Sequence, residues 1–561
     1  MAARATTALL LVSQPAAPLD NGVARTPPMG WNSWYDLAGS DSVVAMNESM
    51  IMRTADAMVK LGLPKLGYTY ISLDDGYVAG RDSVNGSLYA DKQRFPSGMA
   101  ALGRHNHARD LLFGIYTARC AQTCCGHPGS LDHEEQDACT FALDWKADLV
   151  KEDSCAGCPP GSNSLKQYTK MGVALNKTGR HVAFALCGLA SEYFPQAAQV
   201  GNLWRIGTDD GSWNTVLDNV DASVGKAKFA GPGGWNDPCM LNSRDHRGRP
   251  LLTELQTRAQ MSMWSVLAAP LIISGTLLRI SDEALATYTN AEVIAVDQDP
   301  LGRQGERLAG GNLGPIDDGL HFTGPAAIAA PCVTGRPAQN WSFVTVKDTT
   351  ERHHLRNAQS FCANVASGAP NGMLDVEGFC GNNSNLELRL AANGEIQTNL
   401  LDKTGTQWNL CVNVRQVDHW IQMGPCGSGS THWQHDLATG QLKPMGAGNA
   451  SKARCLDWAP HILKPHQATN VWGRPLVGGE HALVFLNVAT ENRTVTCNAS
   501  CFKALGYNDS GVTLQVRDLW AKAALPPIVG LSFTTPVLPA NGGHMMIKVG
   551  GKAARNTHAV A

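Results

Sequence analysis

The sequence predicts an α/β protein: a (β/α)8 TIM barrel, followed by an antiparallel all-β C-terminal domain that a β-trefoil-like insert interrupts. Three observations lead there. Short apolar or β-branched segments near 28–34, 68–75, 111–117, 148–153, 181–187, 203–208, 233–241 and 269–277 alternate with helical stretches, as parallel strands joined by crossover helices do. No glycine-rich phosphate loop follows any of them, which argues against an open dinucleotide-binding sheet. After Asp297-Gln298-Asp299-Pro300-Leu301-Gly302 the composition turns to Gly, Thr, Asn and Trp, and helical periodicity ends.

Residues 1–25 read as an N-terminal segment: Arg4, the apolar run Ala8-Leu9-Leu10-Leu11-Val12 and small residues after it fit the remnant of a secretory signal. The barrel is expected over 26–310. Its first helix is marked by Ile51, Ala55, Met58 and Leu61 at helical spacing, with Asn47 to cap the start and Gly62 and Pro64 to end it. The C-terminal domain is expected over 311–324 and 466–561, and the insert over 325–465. Within the insert Phe361-Cys362-Ala363-Asn364-Val365, Leu410-Cys411-Val412-Asn413-Val414 and Arg454-Cys455-Leu456-Asp457-Trp458 form a repeat, their cysteines 49 and 44 residues apart. Gln339-Asn340-Trp341, Thr406-Gln407-Trp408 and Thr431-His432-Trp433 interleave with it.

With 561 residues, 43% of them apolar, the chain can bury a large core and should split into two or three domains. A formal net charge of -2 without a long basic run argues against a nucleic-acid binder. No apolar run approaches the roughly 20 residues a bilayer span needs; the best, Val266 to Leu278, contains Pro270 and Gly275. Sixteen cysteines and nine Asn-x-Ser/Thr sequons favour a secreted or lumenal, disulfide-forming protein. A zinc site from Cys155, Cys158, Cys120, Cys124 and Cys125 ranks second, since clustered cysteines in an oxidising compartment are more often disulfides.

Three strand ends carry acids: Leu149-Val150-Lys151-Glu152-Asp153, Leu203-Trp204-Arg205-Ile206-Gly207-Thr208-Asp209-Asp210 and Tyr70-Ile71-Ser72-Leu73-Asp74-Asp75. In a (β/α)8 barrel reacting groups project from the C-terminal ends of strands, so these acids can converge on one mouth. Lys151 lies two residues before Asp153, on the same strand face, where its charge favours an ionised Asp153.

The repeat in the insert resembles the ricin-type β-trefoil lectins. That resemblance implies disulfides Cys362–Cys380 and Cys411–Cys426, a third repeat closed by Cys332–Cys455, and carbohydrate as a ligand of the insert; its tryptophans are more often core than sugar platforms. The barrel motifs Pro28-Met29-Gly30-Trp31-Asn32-Ser33-Trp34, Leu73-Asp74-Asp75, Lys151-Glu152-Asp153, Trp204-Arg205 with Asp209, and Gly233-Gly234-Trp235-Asn236-Asp237-Pro238 resemble glycoside hydrolase family 27, the α-galactosidases and α-N-acetylgalactosaminidases, across 26–302 and again 471–550. The resemblance implies a retaining exo-glycosidase for terminal α-D-galactosides, with no metal or organic cofactor. Asp153 matches the nucleophile and Asp209 the general acid/base, whose carboxyl groups should stand about 5–5.5 Å apart. Asp74 and Asp75 match the pair that binds the sugar's O4 and O6; side by side without a ligand they are expected to repel. Trp34, Tyr116 and Met240 match pocket walls, Cys187 a pocket position, and Arg205 a ligand of the 2-position.

Several departures qualify the match. A family disulfide is lost, with Gly39 and Gly76 in its place, whereas Cys124–Cys155 and Cys497–Cys501 match two others; Cys125 with Cys158 is a further candidate bridge. Gly188 and Ser191 stand where α-galactosidases carry larger side chains and leave space at the 2-position, as in the α-N-acetylgalactosaminidases. Cys239 replaces an aspartate. An α-galactosidase is therefore the first reading, an α-N-acetylgalactosaminidase the second, and a non-catalytic sugar-binding protein the third. The expected partner is a small-molecule, oligosaccharide or glycoconjugate substrate, with no nucleic acid and no membrane span, and the expected location is secreted or vacuolar/lysosomal.

Overall fold

The computed structural model describes residues 21–37, 46–155, 157–159, 161–248, 250–313, 326–346, 353–359, 361–365, 372–377, 384–398, 400, 409–415, 419–427, 431–445, 453–458, 467–509 and 511–550. The N-terminal apolar run, Gly39, Cys380 and Trp408 lie outside them. All eight expected barrel strands are present: β1 (Met29–Asn32), β2 (Tyr70–Ser72), β3 (Leu112–Ala118), β4 (Leu149–Asp153), β5 (Ala183–Leu186), β6 (Leu203–Arg205), β7 (Trp235–Asp237) and β8 (Leu271–Ile273). They form one parallel sheet in the order β8-β1-β2-β3-β4-β5-β6-β7. Just past β7, Leu241 bridges Ile273 in parallel, its N–H donating to Ile272 O and its carbonyl accepting from Ser274 N at 2.8 Å each, which joins the last strand to the first.

Side-chain alternation decides what the barrel holds. The first residues of five strands, Tyr70, Leu149, Ala183, Leu203 and Trp235, pack with Ala185 and Ala268 in one buried cluster. Residues two and four positions further share that inward face, so Ser72, Lys151, Asp153, Arg205 and Asp237 follow toward the C-terminal ends. The intervening residues, such as Ile71, Val150 and Trp204, belong instead to the larger core between sheet and helices. The first helix runs Glu48–Lys60, with Asn47 Oδ1 accepting from Met50 N at 2.9 Å, and Gly62 beyond it takes a left-handed φ of 75°.

Beyond the barrel lies a six-stranded antiparallel sheet, in the order 306–310, 469–475, 481–487, 543–550, 513–518 and 523–529. Its first two strands are neighbours, Glu306 opposite Gly473, although some 160 residues separate them in the chain. The intervening segment forms its own strands around its own cluster, which includes Trp341, Leu355, Leu388, Trp433 and Leu456. Trp341 and Trp433 are buried there and donate their indole N–H groups to Leu456 O and Val412 O at 2.9 Å. Two disulfides, Cys332–Cys455 and Cys411–Cys426, staple the segment; Cys362 is also disulfide-bonded. The six-stranded sheet packs on the barrel helices through Trp472 and Met546, and Arg517 clamps Glu292 with two hydrogen bonds of 2.6 Å. Among the described residues no helix is long and apolar enough to cross a membrane.

Candidate active site

Asp153 ends β4 beside β3, where Lys151 pairs with Tyr116 and Asp153 with Ala118. Its carboxylate is held at both oxygens: Ser154 N donates to Oδ1 at 2.7 Å and the Tyr116 hydroxyl to Oδ2 at 2.9 Å. Donors on both oxygens fix its rotamer and aim it. Lys151 feels the Asp153 carboxylate, as expected, but its nearest partner is a different acid. Its ammonium reaches sideways to Asp74 Oδ2 at 2.7 Å and lies 5.2 Å from the centre of the Tyr116 ring. Burial pulls the ammonium's pKa down, yet the Asp74 carboxylate above all, with Asp153 behind it, raises Lys151 well above its ordinary range.

Asp74 and Asp75 are both buried, and neither waits for a ligand to be balanced. Asp74 Oδ2 also accepts from Asn32 Nδ2 at 2.9 Å, and its Oδ1 from Asp75 N at 2.9 Å. Asp75 takes the backbone N–H groups of Gly76 and Cys125, each at 2.7 Å, while burial pushes its carboxyl up. The expected repulsion is thus answered by one ammonium, one amide and three backbone donors. Asn32, part of a motif noted above, was given no role by the sequence; its adjacency to Asp74 arises only because β1 and β2 pair in register, Asn32 opposite Ser72.

Across the mouth, Asp209 stands four residues past Arg205 on the loop after β6. The Arg205 side chain is 6% exposed and that of Asp209 67% exposed, with Nη2 and Oδ1 2.5 Å apart. Arg205 Nη1 faces Cys187 Sγ at 3.7 Å. Burial pushes the Cys187 thiol well up, and the carboxylates of Asp153 and Asp209 push it further. The half-buried Cys187 thiol thus meets Arg205, the partner of Asp209, and feels the charge of both acids. Asp210, the neighbouring acid, is committed elsewhere: fully buried, it accepts from Asn242 Nδ2 at 3.0 Å and Gln260 Nε2 at 2.9 Å, and burial raises it to about 7.

Cys239 is buried in a left-handed conformation with φ of 88°, its carbonyl accepting from Trp264 Nε1 at 2.7 Å and its N–H donating to Asp237 Oδ1 at 2.8 Å. Its thiol faces Arg205 and Asp210, and burial pushes it well up. Met240 is buried next to it, with its carbonyl on Gln260 Nε2 at 3.0 Å. Trp34 begins the short helix Trp34–Leu37, its N–H on Asn32 Oδ1 at 2.8 Å. Ser191 is exposed and opens the turn Ser191–Tyr193. Gly188 does not leave the space expected of it: a Cβ there would stand 2.4 Å from Ser154 Cβ.

The cysteines by the mouth pair as Cys124–Cys155 and Cys120–Cys158. Cys158 is thus taken by Cys120, and Cys125, proposed as its partner, is a free thiol; four of the five cysteines of the alternative zinc reading are oxidised. Cys497–Cys501 lies in the C-terminal sheet region.

A parallel barrel that presents paired carboxylates at its strand ends fits the class of the glycoside hydrolases, and sequence comparison establishes and narrows it. Residues 26–299 match the model of the family described as "Alpha galactosidase A", and residues 466–547 that of its "Alpha galactosidase C-terminal beta sandwich domain". An alpha-galactosidase from Oryza sativa subsp. japonica is 39% identical over 296 residues, which is 52% of this chain and 68% of that protein. The alpha-N-acetylgalactosaminidase of Homo sapiens is 40% identical over 308 residues, 52% of this chain and 73% of that protein. The crystal structure of alpha-galactosidase I from Mortierella vinacea shares the fold at 21% identity, with a TM-score of 0.61 over 95% of this chain and 99% of its own. The chain belongs to the alpha-galactosidase family, glycoside hydrolase family 27, and is an enzyme.

Proposed function

We propose that the protein hydrolyses terminal α-D-galactosides by double displacement. Asp153 attacks the anomeric carbon as the glycosidic oxygen leaves with a proton from Asp209; water, deprotonated by Asp209, then displaces Asp153 and releases the sugar with its configuration retained. The observation that carries this reading is the pairing of a carboxylate fixed at both oxygens, Asp153, with a carboxylate open to solvent, Asp209, on strand ends that flank the half-buried Cys187. A nucleophile must be ionised and aimed, whereas an acid/base must exchange protons with water between the two steps. The buried Asp74 and Asp75, with the half-buried Lys151, form a polar floor suited to sugar hydroxyls, and the resemblance assigns the first two to O4 and O6. Trp34, Tyr116, Cys187, Arg205, Cys239 and Met240 line the same mouth in this reading.

The test is hydrolysis of p-nitrophenyl α-D-galactoside with NMR of the first-formed anomer. An α-anomer is expected; a β-anomer would contradict the assigned roles. Hydrolysis of the N-acetylgalactosaminide in its place would favour the second reading, which rests on the 40% identity to the human α-N-acetylgalactosaminidase. The disulfides and sequons support a secreted or vacuolar/lysosomal enzyme. We read residues 325–465 as a β-trefoil-like insert for which the lectin resemblance implies carbohydrate as a ligand; Trp341 and Trp433 are core and offer it no platform.

A further inference from the structure

Gly188 has no room for a side chain, and the reason lies in the residue that follows Asp153. Gly188 takes a φ of +104°, and a Cβ there would meet Ser154 Cβ at 2.4 Å and Ser154 Oγ at 3.2 Å. The Ser154 side chain already fills that volume. It is held in place, since Oγ accepts from Arg119 Nη2 at 2.6 Å, and the Arg119 guanidinium lies 5.7 Å from the centre of the Tyr168 ring. Tyr168 in turn donates to Cys187 O at 2.6 Å, tying the far side of the glycine to the same group.

Two contacts place this spot beside the sugar's second carbon. Ser154 adjoins Asp153, whose carboxylate must reach C1, one bond from C2. Cys187 adjoins Gly188, and its thiol lies 3.7 Å from Nη1 of Arg205, whose Nη2 holds Asp209, so Gly188 borders the space between the two acids. We propose that Ser154, in place of any side chain at 188, is the specificity-determining residue at the sugar's 2-position: its hydroxymethyl group, anchored by Arg119, accommodates a 2-hydroxyl and excludes a 2-acetamido group. Residues 154 and 188 then form a pair of which only one can carry a side chain. This inference rests on the glycosidase reading above and names the wall that the small residue at 188 otherwise leaves unassigned.

The test compares the parent enzyme, Ser154→Gly, Gly188→Ser and the double variant, in thermal unfolding and in kcat/KM for p-nitrophenyl α-galactoside and p-nitrophenyl α-N-acetylgalactosaminide. The parent should favour the galactoside, and Ser154→Gly should raise the acetamido-to-hydroxyl ratio by about tenfold or more. Gly188→Ser alone should lower the melting temperature, and adding Ser154→Gly should recover part of the loss, because the clash goes while the left-handed strain stays. A ratio for Ser154→Gly within about twofold of the parent, well below the tenfold a steric pocket supplies, would overturn the proposal, as would a parent that favours the acetamido sugar. A parent inactive on both glycosides would instead overturn the glycosidase reading, and the variants would then differ only in their melting.

Discussion

The two acids at the barrel mouth sit on strand ends of the same kind and are held in opposite ways. Asp153 is half-buried, gripped at both oxygens, and backed by the Cys124–Cys155 bridge, whose Cys155 Sγ lies 3.3 Å from the Tyr116 hydroxyl. Asp209 is mostly exposed and has one partner, Arg205, which is itself buried. The difference teaches how a barrel divides labour between like groups. A carboxylate at the last residue of a strand inherits the strand's rigidity and its neighbours' donors; one four residues into a loop keeps its access to water.

The largest expected effect comes from removing the gripped acid. Asp153→Asn keeps the shape and one of the two accepted hydrogen bonds but cannot form the glycosyl-enzyme, so kcat for p-nitrophenyl α-galactoside should fall by about 10⁴-fold or more. Residual activity within tenfold of the parent would break the comparison outright, since the fixed carboxylate would then not be the nucleophile. Asp209→Asn should cost about 10²–10⁴-fold on substrates with a poor leaving group. The loss in the first step should be smaller with p-nitrophenol, which needs little protonation, and added azide should then restore turnover by attacking the glycosyl-enzyme without a base. Equal losses on both leaving groups with no azide rescue would move the acid/base role elsewhere. A third substitution addresses the grip itself: Tyr116→Phe removes one donor to Asp153 and should lower kcat by roughly tenfold, the scale of one hydrogen bond to a charged group. The same substitution should leave the leaving-group dependence of the Asp209→Asn variant unchanged.

Much of this arrangement is legible in the sequence because it follows from alternation. Eight apolar segments with acids after three of them are enough to place the strands, and two-residue periodicity puts Lys151 and Asp153 on one inward face. What alternation does not encode is which neighbour across the sheet lies nearer. Sequence spacing points Lys151 toward Asp153, whose charge it does feel, but does not show that the long side chain also leans over to bond Asp74 just past β2. Cys125 and Cys158 look like a local pair in the sequence, yet the chain presents Cys120 to Cys158 and turns Cys125 N toward Asp75. Gly188 reads as empty space for the same reason: a glycine shows that a Cβ is missing, and only the fold shows that Ser154 fills its place.

The smallest effect sharpens the comparison by supplying a carboxylate–arginine pair with no chemistry to perform. Glu292 and Arg517 meet where a barrel helix abuts the six-stranded sheet, with two 2.6 Å hydrogen bonds where Arg205 and Asp209 share one contact. The hydrogen bonds from Arg517, more than its charge alone, hold the Glu292 carboxyl below its usual range. A carboxyl whose pKa is depressed by folding contributes stability that is present above the unfolded value, about 4.3, and lost as pH falls through the folded value. Because both side chains are partly exposed, Glu292→Gln should cost only about 0.5–1 kcal/mol at pH 7 in urea unfolding. That difference should shrink toward zero as the pH is lowered through 4, and kcat should not move. Asp209→Asn should do the reverse, lowering kcat on poor leaving groups by the roughly 10²–10⁴-fold given above with little change in the unfolding midpoint, because an exposed acid that serves as a proton carrier has little of the fold resting on it. If Asp209→Asn proves the more destabilising of the two, the Arg205 contact is structural and the open acid is not the proton carrier.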